Sequence, residues 1–114
     1  MSPITTHVLD TARGRPAADL AIHIERRSPD GGWVELGRGS TDADGRLRTL
    51  LDPGEALVPG FYRITFDTGS YFASLGIEGF YPEASVVFEI RDASQHYHVP
   101  LLLSPYGYST YRGS

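Results

Sequence analysis

Four places in the sequence carry side chains able to do chemistry together. They are His7 in "TTHVLD", Arg46 closing "TDADGR", the His96 and His98 pair in "HYHVP", and the final "YRGS" from Tyr111 to Ser114. Histidine is the side chain whose ordinary pKa lies near working pH, as a general base requires. Arginine is permanently charged and offers a planar fork of donors to developing negative charge. The chain has no cysteine, which removes thiol nucleophiles. It also has no Gly-x-Ser-x-Gly elbow and no Walker-type phosphate loop. What remains is water activated by histidine, with arginine stabilising the oxyanion.

Each feature also has a plainer reading. A single histidine in a strand is ordinarily a structural residue, and nothing near His23 in "AIHIE" lifts it above that. His96 and His98 stand two apart and would share one strand face, so they could chelate a metal. His7 could then be a third ligand, with the open position that catalytic zinc requires. "TDADGR" lacks the spacing and the later Glu of a calcium loop. It reads as a hairpin turn, with Asp44 tolerating an unusual backbone and Gly45 supplying positive φ. Arg46 would then leave a rigid turn. Ser114 brings a hydroxyl and, at a true chain end, a carboxylate. Tyr106, Tyr108 and Tyr111 each carry a large apolar surface whose burial is favourable, so the tail is expected to be ordered.

The elements that must position these groups are strands. The 13 Gly and 8 Pro act as punctuation between short apolar or alternating runs. Eight strands are predicted: Ile4–Asp10, Leu20–Arg27, Trp33–Thr41, Arg46–Leu50, Phe61–Thr68, Ser85–Arg91, Gln95–Leu103 and Tyr106–Arg112. "SYFASLGI", Ser70–Ile77, is the one helical candidate. It is too short to persist without packing on the sheets. Successive strand residues point to opposite faces. Val8 and Val99 thereby mark core faces, while His7 and His98 fall on the outside of the sandwich. That outer face also carries Leu9 and Leu102. A strand apolar on both faces has cover on both, and no long helix is available to supply it. A second copy of the chain is the expected cover.

At 114 residues the chain has the size of one domain, 1–114, with enough length for a core without disulfides. The net charge of −4 argues against nucleic acid as a partner. All ten basic residues are Arg, consistent with composition bias. There is neither a basic-then-apolar leader nor an apolar run of ~20 residues. The expectation is a cytoplasmic protein with no membrane association.

In combination, "TTHVLDTARGRPA", "TDADGR", "GFYPEASVVFEI" and "HYHVPLLLSPYGYSTYRGS" resemble the 5-hydroxyisourate hydrolases, the transthyretin-related enzymes of urate degradation. The resemblance runs nearly the whole chain, and its most specific motif is the final Tyr-Arg-Gly-Ser. The family's usual turn has Asn where Asp42 stands here; both residues suit a turn. The resemblance implies an all-β, transthyretin-like sandwich of two four-stranded sheets with one short helix. It also implies a homotetramer with active sites at subunit interfaces. His7, Arg46 and His98 carry over as catalytic residues, and Tyr111, Arg112, Gly113 and Ser114 as substrate-binding ones. The implied reaction opens the lactam ring of 5-hydroxyisourate to 2-oxo-4-hydroxy-4-carboxy-5-ureidoimidazoline, with no cofactor and no metal. Transthyretin itself shares the fold as a carrier of a small aromatic hormone, but such carriers lack the Tyr-Arg-Gly-Ser ending.

Overall fold

In a computed structural model, residues 2–114 are described; Met1, the first residue of the expected domain, lies outside them. Among the described residues nine strands and one helix follow in the order β1 Ile4–Asp10, β2 Arg15–Pro16, β3 Ala21–Arg27, β4 Trp33–Ser40, β5 Arg46–Leu47, β6 Gly60–Phe66, α1 Thr68–Ser74, β7 Ala84–Ile90, β8 Tyr97–Ser104 and β9 Gly107–Thr110. They form two sheets. One has the order β4-β3-β6-β7; the other has the order β2-β1-β8-β9, with β5 also pairing β1.

The sandwich and its single short helix match the expectation, and one sheet has the expected four strands. The other gains members because β2 and β5 succeed one another along the same edge of β1. β2 lies in a segment read from sequence as a break. There Gly14, at φ 67°, turns the chain back so that Arg15 and Pro16 oppose Asp10 and Leu9. β5 is shorter than the expected Arg46–Leu50 run, because only Arg46 and Leu47 align with β1.

The core follows from strand parity. Ile4 and Val8 of β1, with Val99, Leu101 and Leu103 of β8, face Ile22, Ile24, Tyr62, Ile64 and Phe66 of the opposite sheet. The helix begins two residues before the expected Ser70, because Asp67 caps it by accepting a hydrogen bond from the Ser70 N–H. It ends at Ser74 with Leu75 as its C-cap, and Gly76 just beyond takes φ 69°. Tyr71 and Phe72 turn into the core. The Tyr71 hydroxyl donates to the fully buried Asp10 carboxylate at 2.7 Å, tying α1 to the end of β1.

Among the described residues the one parallel pairing joins β1 to β8, in register from Ile4↔Tyr97 to Asp10↔Leu103. This pairing positions the candidate residues. It places residues about ninety positions apart in sequence at the same level of one sheet, on the same outer face.

Candidate active site

Thr5 lies opposite His98 across β1 and β8, and His7 lies opposite Arg46 across β1 and β5. Directly opposed residues share a face and stand close enough to interact. Three expected site residues are therefore brought together by backbone pairing, on the outside of the sandwich.

Arg46 is held by its turn. The Asp42 carboxylate accepts from the backbone N–H groups of Asp44 and Arg46, at 2.9 and 3.0 Å. The Gly45 N–H donates to the Asp42 carbonyl at 2.9 Å. The left-handed position falls on Gly45, at φ 76°. Asp44 does not share it, so the unusual backbone expected there is absent. A side chain at Gly45 is also sterically blocked, since its Cβ would sit 2.4 Å from the Val8 carbonyl oxygen. The Asp42 side chain does what the turn needs, and hydrogen bonding to Arg46 and Asp44 holds its carboxyl below the usual carboxylate range.

His98 sits at the centre. Its Nδ1 lies 2.9 Å from Thr5 Oγ1, and the same oxygen lies 3.0 Å from His96 Nε2. Burial pushes its pKa down, and the Arg46 guanidinium, joined by His7 and His96 whenever they are protonated, pushes the same way. A half-buried imidazole is thus kept neutral, as a general base must be.

The tail reaches His98 directly. The Gly113 N–H donates to the His98 carbonyl at 2.8 Å, forming an isolated bridge beyond β9. Gly113 leaves no room for a side chain beside the ring: a Cβ there would come within 2.6 Å of His98 Cδ2. Ser114 then enters a cavity of about 220 Å³, which it lines with Thr5, Arg46, Arg48, His96 and His98. His7 flanks this cavity beside Arg46 and does not line it.

Not every expected residue converges within one chain. Tyr111 and Arg112 line a separate apolar hollow of about 330 Å³ at the seam between β7 and β8. The Arg112 guanidinium lies over the Tyr97 ring at 4.6 Å and donates to Gln95 Oε1 at 2.7 Å. A larger trough, about 540 Å³, runs over the other sheet past His23 and Arg38. His23 there sits 3.7 Å from Glu25, in keeping with its structural reading.

Thr5, Thr6 and Arg48 line the cavity without having been singled out as site residues. The sign available in the sequence was parity, since Thr5 shares a face with His7 and Arg48 is two residues from Arg46. Among the described residues, no group of three or more His, Cys, Asp or Glu side chains is placed to hold a metal ion. His7, His96 and His98 do not form the three-histidine set that a zinc site would need.

Comparison with known proteins bears on this arrangement. The model of the HIUase/Transthyretin family matches residues 4–113. The chain is 50% identical over 114 residues to the 5-hydroxyisourate hydrolase of Mus musculus, covering 99% of this chain and 96% of that one. It is 49% identical over 111 residues to the 5-hydroxyisourate hydrolase of Salmonella typhi, covering 97% of this chain and 80% of that one. The crystal structure of transthyretin from Sparus aurata superposes with a TM-score of 0.92 at 34% identity, covering 99% and 97% of the two chains.

Proposed function

The chain belongs to the HIUase/transthyretin family and acts as a 5-hydroxyisourate hydrolase in uric acid degradation, and we propose that the reaction runs in the cleft where Arg46, His98 and Ser114 meet, with His7 on its flank. The observation that carries this reading is the meeting of a neutral-held imidazole, a turn-anchored guanidinium and the tail in one small cavity.

In this reading His98 and His7 orient the attacking water and remove its proton. The water oxygen attacks the lactam carbonyl, and Arg46 binds the electron-rich ring and stabilises the oxyanion. The carbon–nitrogen bond then breaks. The proton passes from imidazolium to the leaving nitrogen, the imidazole returns to its neutral form, and the new carboxylic acid ionises into solvent. Ser114 hydrogen-bonds the edge of the substrate. No residue here requires a metal.

The full site is a homotetramer's in this account. The outer face holding the cleft carries half-buried Leu9 and Leu102. The edge strand β7 exposes Val87, and the tail exposes Tyr111, each at 57%. Covering these by another copy removes apolar surface from water. Tyr111 and Arg112 would contribute to a site shaped by that assembly.

The test uses 5-hydroxyisourate freshly made from urate by urate oxidase. Its ultraviolet absorbance is followed with the protein, without it, and with the protein plus a chelator. Decay accelerated equally in both protein arms is expected. Decay no faster than the blank would overturn the proposal, and loss with chelator alone would favour a zinc hydrolase. Sedimentation velocity should give the mass of four chains; a monomer at working concentration would remove the interface part.

A further inference from the structure

Whether Nε2 of His98, the nitrogen turned away from Thr5, is free to take a proton is decided by the tautomer of the ring, and one hydroxyl governs it. Thr5 Oγ1 lies within hydrogen-bond distance of two imidazole nitrogens at once, His98 Nδ1 at 2.9 Å and His96 Nε2 at 3.0 Å. A hydroxyl carries a single proton, so it donates to one of them and accepts from the other. If it donates to His98 Nδ1, the remaining proton of neutral His98 sits on Nε2, and the ring cannot take a proton from water there. If it donates to His96 Nε2, it accepts from His98 Nδ1–H, and His98 Nε2 keeps a free lone pair.

We propose that Thr5 is a positioning residue that, with His96 as its acceptor, holds His98 in the Nδ1–H form and thereby leaves Nε2 free to act as the base. The inference rests on the assignment of His98 to the site above. Three further observations support it. Thr5 is 6% exposed although it points to the outer face, so water competes poorly for its hydroxyl. His98 is intermediate in burial and His96 is exposed, so His96 can satisfy its own Nδ1–H with solvent while Nε2 accepts from Thr5. The backbone fixes the pair, since Thr5 and His98 are register partners on adjacent parallel strands. The arrangement has the logic of any histidine oriented by a partner on its far nitrogen, with a hydroxyl relaying to a second imidazole in place of a carboxylate. The other groups facing His98 are Arg46 and His7, with Arg48 and Ser114 around the cavity.

The test reads the tautomer directly. Long-range proton–nitrogen NMR on the full chain, without substrate, assigns the protonated nitrogen of His98 above its pKa. The wild type is expected to show Nδ1–H. Thr5→Val should lose that preference and lower kcat about 10- to 100-fold, the usual cost of losing the group that orients a histidine, with KM little changed. Thr5→Ser keeps the hydroxyl and should restore both. His96→Ala removes a cavity-lining side chain that is exposed and outside the core, so it tests the proposal even if Thr5→Val fails to fold. It frees the hydroxyl to donate to His98 and should shift the proton to Nε2, with a matching fall in kcat. Wild-type His98 protonated on Nε2, or a Thr5→Val or His96→Ala protein with unchanged tautomer and kcat, would overturn the proposal. The NMR readout needs no turnover. A correct tautomer together with an active His98→Asn variant would therefore refute the site assignment, not the role of Thr5 as a tautomer-setting group.

Discussion

Replacing Gly113 by alanine adds one methyl group at the point where the tail lies on the His98 ring. That methyl would sit 2.6 Å from Cδ2, 3.3 Å from Cγ and 3.4 Å from Cβ of His98. Carbon atoms rest at about 3.5–4.0 Å, so the ring or the tail must yield by about 1 Å. Neither is free to do so. The ring is held at Nδ1 by Thr5, 2.9 Å away, and the tail by the 2.8 Å hydrogen bond from Gly113 to the His98 carbonyl. A misplacement of about 1 Å in a catalytic group can cost roughly 100-fold in rate. Gly113→Ala should therefore lower kcat on freshly generated 5-hydroxyisourate by about that factor. Thermal stability should hardly move, because the tail is peripheral to the core. Gly107→Ala is the control: its Cβ would meet only Ser104 Oγ, at 3.8 Å, and the variant should match wild type. A Gly113→Ala enzyme with near-normal kcat would refute the claim that contact between tail and imidazole sets the site.

Two further outcomes are expected from the same geometry. Arg46→Lys keeps a charge but loses the fork, and should cost about 10²–10³ in kcat, as loss of an oxyanion donor does; a Lys variant with wild-type kcat would show that the guanidinium is not at the reacting oxygen. On the pH axis, the base works only when neutral, so lowering the pH protonates His98 and lowers kcat/KM. Burial and the neighbouring cations depress the His98 pKa from its ordinary 6.5, so the acid limb should lie below that value. Arg46→Gln should move the limb to higher pH, whereas Arg46→Lys leaves it in place; a limb at or above the ordinary value in wild type would contradict this.

The outer face of the site was legible in the sequence because strand parity needs only local pattern. Ile4, Thr6 and Val8 alternate with Thr5, His7 and Leu9, and the β8 run alternates in the same way. The turn before Arg46 was legible from Gly45 and its polar neighbours, though the residue that does the bonding is Asp42 and not Asp44. The adjacency of β1 and β8 is a long-range parallel pairing, and no local signal in either strand specifies its partner or register. Only the whole-chain resemblance implied it. Thr5 was not implied even by the resemblance, because its importance comes from standing level with a residue 93 positions away. The tail shows a further limit. Past Thr110 the chain leaves β9, parity lapses, and nothing in "YRGS" says that Gly113 and Ser114 join His98 while Arg112 turns to Tyr97 and Gln95. The short β2 was missed because a two-residue strand containing proline has no periodicity to detect.

The measurement closest to the central claim is the steady-state turnover of His98→Asn and His7→Asn, each confirmed to fold and assemble like wild type. Asparagine keeps polarity and some hydrogen bonding but cannot take a proton from water. A loss of about 100-fold or more in kcat for both variants is the expected result. Near-normal turnover in both would show that the outward-facing imidazoles are not the source of the hydrolytic activity.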